Sequence, residues 1–186
     1  MTTEDKSKKE ILVVEDNPSF RKAAKIYFGT VEGANVTYAV DYNDAQKKIG
    51  DHEYDGGLVD CFFPKKTGSE EKDLGWSAIE NLKWGLNLDG YDCTKEEYMA
   101  PIVEALKESE NAQPLGINIA RRLELKEIPF ILATSEYHHG KLAGPICMYQ
   151  RIMGWPEIID KAEATKDQPD FWRAAYEGLL IQMAKS

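Results

Sequence analysis

The chain has few cysteines, few basic residues and no long apolar run, and each shortage excludes a class of protein. Its three cysteines are odd in number and have no CxxC spacing, which disfavours a disulfide framework and a cysteine zinc site. Lysine and arginine total 23 against 32 acidic residues, so the net charge of −9 disfavours a surface for nucleic acid or anionic membrane. No stretch approaches the roughly 18 apolar residues that cross a bilayer, and the polar residues at the amino end contain no signal core. These shortages predict a cytoplasmic protein without nucleic-acid or membrane partners.

The remaining composition is that of an ordinary globular domain. Hydrophobic residues make up 42% of the sequence and charged residues 30%. A chain of 186 residues is long enough to bury one substantial core. We therefore expect residues 1–186 to form a single domain.

Short apolar runs alternate with amphipathic stretches along most of the chain. The continuous run at 11–14 is typical of a strand that is buried on both faces of a parallel sheet. Asn17 and Pro18 then suit the start of a helix. Further strands are predicted at 35–40, in the apolar run of the stretch 54–64 that ends at Asp60, at 128–135 and at 157–160. Helices are predicted from Pro18 to a stop at Gly29 or Gly33, at 41–49 with a stop at Gly50, at 115–126 and around 146–153, with a last helix capped by Asp167 or Asp170. This order predicts an α/β fold with a doubly wound, five-stranded parallel sheet.

The alternation stops between residues 69 and 113. This segment contains two helical patterns, one of them opened by a capping-box spacing at 94–97, and no strand. We predict that residues 69–113 form a helical insertion between the third strand and the third helix. Its position directly after a buried strand suggests a lobe that recognises a partner or gates the edge of the sheet.

Polar residues follow directly on four of the predicted strands. They are Glu15, Asp16, Asp60, Thr134, Ser135 and Lys161. Because the carboxyl ends of parallel strands meet at one edge, we expect these side chains to converge. Three converging carboxylates repel one another, and an all-oxygen group of this kind favours Mg²⁺. A lysine and hydroxyls at the same place suit a phosphoryl group, so the pattern predicts an aspartate that accepts one.

With these residues the chain resembles the receiver domain of two-component response regulators, which has a flavodoxin-like fold. Four segments carry the resemblance: the acidic pair in Val13-Val14-Glu15-Asp16, Asp60 with Pro64 four residues later, the proline-strand-threonine segment at 129–135, and Ile159-Asp160-Lys161. The resemblance covers residues 10–68 and 114–184. It implies a stand-alone phosphorelay protein, not an enzyme, that signals through protein–protein contact.

The resemblance also implies partners and residue roles. Asp60 would accept the phosphoryl group from a sensor histidine kinase, a phosphotransfer protein or a small phosphodonor. Asp16, Asp60 and the backbone carbonyl of Phe62 would hold Mg²⁺, with Glu15 acting through water. Lys161 would pair with Asp60 and then with a phosphoryl oxygen.

Residues around Thr134 complete the site that the resemblance implies. Thr134 would turn towards the phosphoryl group, with Ser135 and Phe62 beside it, and so report that the group is present. Phe62 and Glu136 occupy the positions that tune dephosphorylation in the family.

Three features depart from the family pattern. Ala162 follows the predicted lysine where the family has proline, and Ile158 occupies the position of the aromatic switch residue. The interval from Asp60 to Thr134 is 74 residues (134 − 60), longer than in an ordinary receiver. Removing the predicted insertion restores the usual spacing.

Several alternatives stay open at the level of sequence. The departures at Ile158 and Ala162 suit a pseudo-receiver that binds partners without phosphorylation. An Mg²⁺-dependent phosphatase with an aspartyl nucleophile is a weaker alternative, because such enzymes want an acid where Phe62 stands. Lys161 could instead be a solvated lysine, and the pair His138-His139 favours a solvated loop over a metal site.

Overall fold

The computed structural model describes residues 8–64, 113–136, 143–160 and 164–185. The predicted insertion lies outside these ranges except for Gln113, and so do Lys161, Ala162 and the His138-His139 pair.

Four parallel strands form the sheet. They are β1 (Lys9–Val14), β2 (Ala34–Ala39), β3 (Gly56–Asp60) and β4 (Phe130–Ala133), in the order β2-β1-β3-β4. Each is rich in apolar residues, and β3 and β4 are buried along their whole length, as expected for strands covered on both faces. The doubly wound parallel sheet is thus confirmed.

The predicted fifth strand is reduced to one bridge beside β4. Ile159 pairs in parallel with Ala133 through two backbone hydrogen bonds, from Ile159 N to the Leu132 oxygen and from Thr134 N to the Ile159 oxygen, each 2.9 Å long. The predicted fifth strand thus has one parallel pairing at the β4 edge, and the regular strand expected at 157–160 is absent from the described part of the chain.

Helices cover both faces of the sheet. They are α1 (Pro18–Phe28), α2 (Tyr42–Asp51), α3 (Gly116–Leu125), α4 (Ala143–Ile152) and α5 (Pro169–Met183). Alternate residues of β1 face opposite layers, with Leu12 and Val14 packed among α2, α3 and α4, and Ile11 and Val13 among α1 and α5. None of the described helices is both long and apolar enough to span a bilayer.

The ends of the helices agree with the sequence in some cases and differ in others. The Asn17 side chain accepts a hydrogen bond from Ser19 N at 2.9 Å and Pro18 begins α1, as predicted. Helix α2 passes through Gly50, its predicted end, and finishes one residue later. The predicted cap of α5 is wrong, because Gln168 stands at that position without a side-chain hydrogen bond to the helix.

The chain leaves β3 and returns to α3 at the same place. Phe63 and Gln113 form an antiparallel bridge, with N–H to oxygen distances of 2.9 and 3.0 Å in the two directions. Two residues beyond the bridge, Leu115 N donates back to the Gln113 oxygen, and Gly116 N donates to the Cys61 oxygen at 3.2 Å. Phe63 and Gln113, which flank residues 64–112, are thus hydrogen-bonded together just after Asp60. We call the segment 64–112 between them the excursion.

Candidate functional site

Three carboxylates meet at the carboxyl edge of β1 and β3. In the strand register Val14 lies beside Val59, so Glu15 and Asp60, the next residues on the two strands, are neighbours. One carboxylate oxygen from each of Glu15, Asp16 and Asp60 lies within 4.8 Å of the other two. Glu15 is fully buried, and Asp60 is 8% exposed. The structure therefore brings together all three carboxylates predicted for the metal site.

The turn that carries Glu15 and Asp16 is held by the start of α1. Asn17 N donates to Glu15 Oε1 at 2.9 Å, which orients the glutamate side chain. The guanidinium of Arg21, one turn into α1, donates to the backbone oxygens of Glu15, at 2.6 Å, and of Asp16. These contacts fix the acidic turn against the helix, and the role of Arg21 was not predicted from the sequence.

Lys166 is the cation of the site. Its ammonium lies 2.6 Å from Asp60 Oδ1 and 2.6 Å from Glu15 Oε2, and it donates to the Ala133 oxygen at 2.9 Å. Its side chain is fully buried. Lys161, the lysine predicted for this contact, lies outside the described residues. Among the described residues, the lysine that contacts Asp60 is Lys166.

Lys166 differs from the predicted lysine in its place along the chain. The prediction took the lysine directly after the fifth strand, which is Lys161. Lys166 instead lies in the turn Thr165–Gln168, immediately before α5. The sequence signal for this alternative was the turn-forming run Asp167-Gln168-Pro169 beside Lys166, and it does not by itself distinguish the two lysines.

Burial and mutual repulsion shift the ionisation of the site. Burial and the neighbouring Glu15 charge raise the pKa of Asp16 to about 6. Burial raises the pKa of Asp60 above its ordinary value even though the Lys166 charge opposes the change. Burial lowers the pKa of Lys166, but the charges of Asp60 and Glu15 outweigh this effect and hold it above its usual value. Three acids facing one lysine leave an excess of negative charge that a cation would relieve.

Thr134 follows β4, which pairs with β3, the strand that ends at Asp60. Because Asp60 pairs with Ala133, Thr134 is the first residue beyond that pair. It is buried, and its Oγ1 accepts a hydrogen bond from Glu136 N at 3.1 Å, which leaves the hydroxyl proton to be donated elsewhere. Ser135 is half-buried, and Phe62 is buried at the start of the excursion.

The two carboxylate oxygens of Asp60 differ in their hydrogen bonds to the described residues. Oδ1 accepts the hydrogen bond from Lys166 and another from Cys61 N at 2.9 Å. Both of these bonds to the described residues fall on the same atom. Oδ2 is therefore the oxygen better placed to act as a nucleophile or metal ligand.

No protein-family model and no curated protein matches the sequence. Solved structures that resemble this chain are known. A CheY-like response regulator receiver domain protein from Methanospirillum hungatei JF-1 is 15% identical, with 97% of this chain and 100% of that one covered and a TM-score of 0.53. Chemotaxis response regulator CheY4 of Vibrio cholerae is 15% identical (93% and 99% covered, TM-score 0.49). The bacteriophytochrome response regulator AtBRR is 14% identical (94% and 94% covered, TM-score 0.47).

The match to the Methanospirillum protein agrees with the strand order and the helix layers described above. The fold is an α/β fold of the flavodoxin-like type. More particularly, it is the fold of the CheY-like receiver domains, as the sequence motifs predicted.

Proposed function

We propose that this protein is a response regulator receiver that accepts a phosphoryl group on Asp60 in an Mg²⁺-dependent phosphorelay. The observation that carries the proposal is the buried Lys166 ammonium, which contacts both Asp60 and Glu15 at 2.6 Å within a group of three carboxylates. Buried charges are costly unless they are paired, and this grouping has no evident structural need for a third acid. A site that binds a cation and a phosphoryl group accounts for all four residues.

The donor set fits Mg²⁺. Its ligands would be carboxylates of Asp16 and Asp60 with the backbone carbonyl of Phe62, because hard cations take oxygen ligands. Both oxygens of Glu15 are already engaged, by Asn17 N and by Lys166, which suits a glutamate that acts through water. The ion would neutralise charge on the carboxylates and on the incoming phosphoryl oxygens.

In the proposed transfer, Asp60 Oδ2 forms a bond to phosphorus as the bond from phosphorus to the donor breaks. The leaving group is the imidazole of a phosphohistidine, which then takes a proton from solvent, or the carboxylate of acetyl phosphate, which needs none. Lys166 would exchange part of its contact with Asp60 for a phosphoryl oxygen, and the Thr134 hydroxyl would donate to another. The protein would act as a phosphoacceptor and not as an enzyme for other substrates.

The partners of this function are a sensor histidine kinase or phosphotransfer protein as donor and a downstream protein as target. These partners would place the protein in the cytoplasm. We also propose that the chain is one receiver domain with residues 69–113 inserted, since the bridge between Phe63 and Gln113 returns the chain to its point of departure.

A pseudo-receiver is the second candidate. It is favoured by the residue that follows the lysine on Asp60: Asp167 comes after Lys166, where the family has proline. The aromatic switch position that falls on Ile158 is counted from Lys161, and Ile158 lies eight residues before Lys166 (166 − 158). A site that departs from the family pattern beside its lysine could persist for partner binding alone.

Incubation with Mg²⁺ and acetyl phosphate, followed by intact mass measurement, tests the proposal. We expect one added phosphoryl group in the parent chain and in Asp51→Asn, which removes an exposed carboxylate at the end of α2. Asp60→Asn should give no adduct. Absence of the adduct from the parent, with either acetyl phosphate or phosphoramidate, would favour the pseudo-receiver.

A further inference from the structure

The lysine of the site is not held by a β-ladder. Lys166 lies in the turn Thr165–Gln168, where Gln168 N donates to the Thr165 oxygen at 2.9 Å. A lysine at a strand end has its backbone fixed by the neighbouring strand, whereas the backbone of a turn needs another anchor. For Lys166 that anchor is Trp172, one turn into α5, whose indole Nε1 donates to the Lys166 backbone oxygen at 3.0 Å.

Trp172 also faces the other end of the lysine. The Lys166 ammonium lies 5.8 Å from the centroid of a Trp172 ring and 5.6 Å from that of Phe20, on α1. These are distances at which an aromatic face attracts a cation, most strongly when both are removed from water. Trp172 is 1% exposed and Phe171 packs edge-on against it, so its indole has little room to move. One rigid side chain therefore contacts both the backbone and the charged end of Lys166.

We propose that Trp172 is a positioning residue that fixes Lys166 for phosphoryl transfer to Asp60. The proposal rests on the phosphoacceptor function proposed above. Its indole N–H holds the turn in place of a strand pairing, and its ring, with that of Phe20, confines the ammonium. The first turn of α5 thereby becomes part of the support of the site. Loss of the N–H lets the turn shift while the carboxylates, which are held by β1, β3 and α1, stay in place.

The test compares two buried tryptophans that each donate one indole hydrogen bond. Trp172→Phe removes the bond to Lys166. Trp155→Phe is the matched control, because Trp155 is 6% exposed and its Nε1 donates to Glu124 Oε1 at 2.9 Å, within the opposite helix layer. We expect Trp172→Phe to lower the initial rate of phosphorylation by acetyl phosphate about tenfold, the effect of one net hydrogen bond. Trp155→Phe should lower stability to denaturant by a similar amount and leave the rate near that of the parent.

A second measurement reports on the lysine without phosphorylation. With ¹⁵N-labelled lysine, the Lys166 ammonium is identified as the signal that Lys166→Arg removes, and its protons should exchange slowly with water. Trp172→Phe should speed that exchange, and Trp155→Phe should not. If Trp172→Phe does not fold, replacement of Trp172 by 3-benzothienylalanine removes the N–H at nearly constant volume.

The outcomes separate the two proposals. Parent-like phosphorylation and parent-like exchange without the Trp172 N–H would overturn the positioning role. Equal effects of the two tryptophan variants on the rate would also overturn it, since they would reflect general destabilisation. If the parent itself gives no adduct, the phosphoacceptor function fails, and the ammonium exchange still decides whether Trp172 positions Lys166.

Discussion

The buried charges of the site determine how individual residues should respond to mutation. Glu15 and Asp60 share one ammonium, and Asp16 adds a further carboxylate nearby. Removing one partner of a buried ion pair lowers the free energy of unfolding by more than the intact pair contributes to it. The reason is that the remaining buried charge is left without a partner. Each of these residues therefore affects both stability and chemistry, and the useful variants are those that separate the two effects.

Lys166→Met should impair both folding and phosphorylation. It leaves Glu15 and Asp60 without their cation, which we expect to lower the free energy of unfolding by about 3 kcal/mol. Loss of the cation that would face the phosphoryl group should slow phosphorylation about 100-fold. Denaturant unfolding and the rate of adduct formation measure the two effects.

Lys161→Met is the control that distinguishes the two candidate lysines. If Lys166 is the lysine of the site, Lys161→Met should be phosphorylated at the rate of the parent. A large loss of phosphorylation in Lys161→Met, with little change in Lys166→Met, would instead show that Lys161 is the lysine that acts with Asp60.

The raised pKa of Asp16 predicts how the free energy of unfolding depends on pH in the absence of metal. Its pKa of about 6 in the folded protein exceeds the ordinary value of 3.8 for an aspartate, so the folded state holds the proton more tightly than the unfolded state does. Its contribution therefore favours folding at low pH and is lost as pH rises through about 6. In EDTA, Asp16→Asn should be more stable than the parent at about pH 7.5, and this advantage should shrink towards about pH 5.

Mg²⁺ should oppose this loss of stability in the parent. Added at about pH 7.5, the ion should raise the denaturation midpoint of the parent and have little effect on Asp16→Asn. Asp51→Asn should behave as the parent does. A stability difference between Asp16→Asn and the parent that does not change with pH would contradict the assignment.

At the scale of elements, regular patterns were predictable and irregular ones were not. The run at 11–14 and the Asn17-Pro18 start of α1 are local signals, and the structure reproduces both. The predicted fifth strand is not regular, because Ile159 is the one residue in the described part of that stretch that pairs with β4. The contact from Lys166 to Asp60 spans 106 residues and is set by the turn before α5, and no local pattern encodes it.

The close approach of α3 to β3 is a second contact that sequence patterns do not reveal. A Cβ at Gly116 would lie 2.1 Å from the Asp60 backbone oxygen and 2.8 Å from Cys61 Cα. Gly116→Ala should therefore push the backbone of Asp60 and Cys61 aside, with a loss of about 2 kcal/mol or more in unfolding free energy. It should also slow phosphorylation of Asp60.

Gly33→Ala gives the matched control for this close approach. A Cβ at Gly33 meets nothing within 4 Å, and this glycine does not have a positive φ. We expect Gly33→Ala to be neutral or slightly stabilising, because alanine reduces the entropy of the unfolded chain. A parent-like Gly116→Ala, by unfolding and by phosphorylation rate, would show that α3 does not constrain Asp60.

For the whole molecule, the main question is whether the sheet and its helices fold without the excursion after β3. The described residues form two apolar clusters, one on each face of the sheet. The Phe63–Gln113 bridge holds the two ends of the excursion together with backbone hydrogen bonds. Because its two ends already meet, we predict that the segment can be shortened without unfolding the receiver core.

Replacing residues 65–111 by Asn-Gly tests this separation. The loop that remains, Pro64-Asn-Gly-Ala112, has a length that joins antiparallel strands. We expect the shortened chain to unfold cooperatively and to accept one phosphoryl group on Asp60, because the carboxylates and Lys166 all lie outside the excised segment. If the insertion recognises a partner, the shortened chain should lose capture of that partner while it keeps phosphorylation. If the insertion gates Asp60, the phosphorylation rate should instead rise. A shortened chain that folds, is phosphorylated and binds partners as the full chain does would assign the insertion neither role.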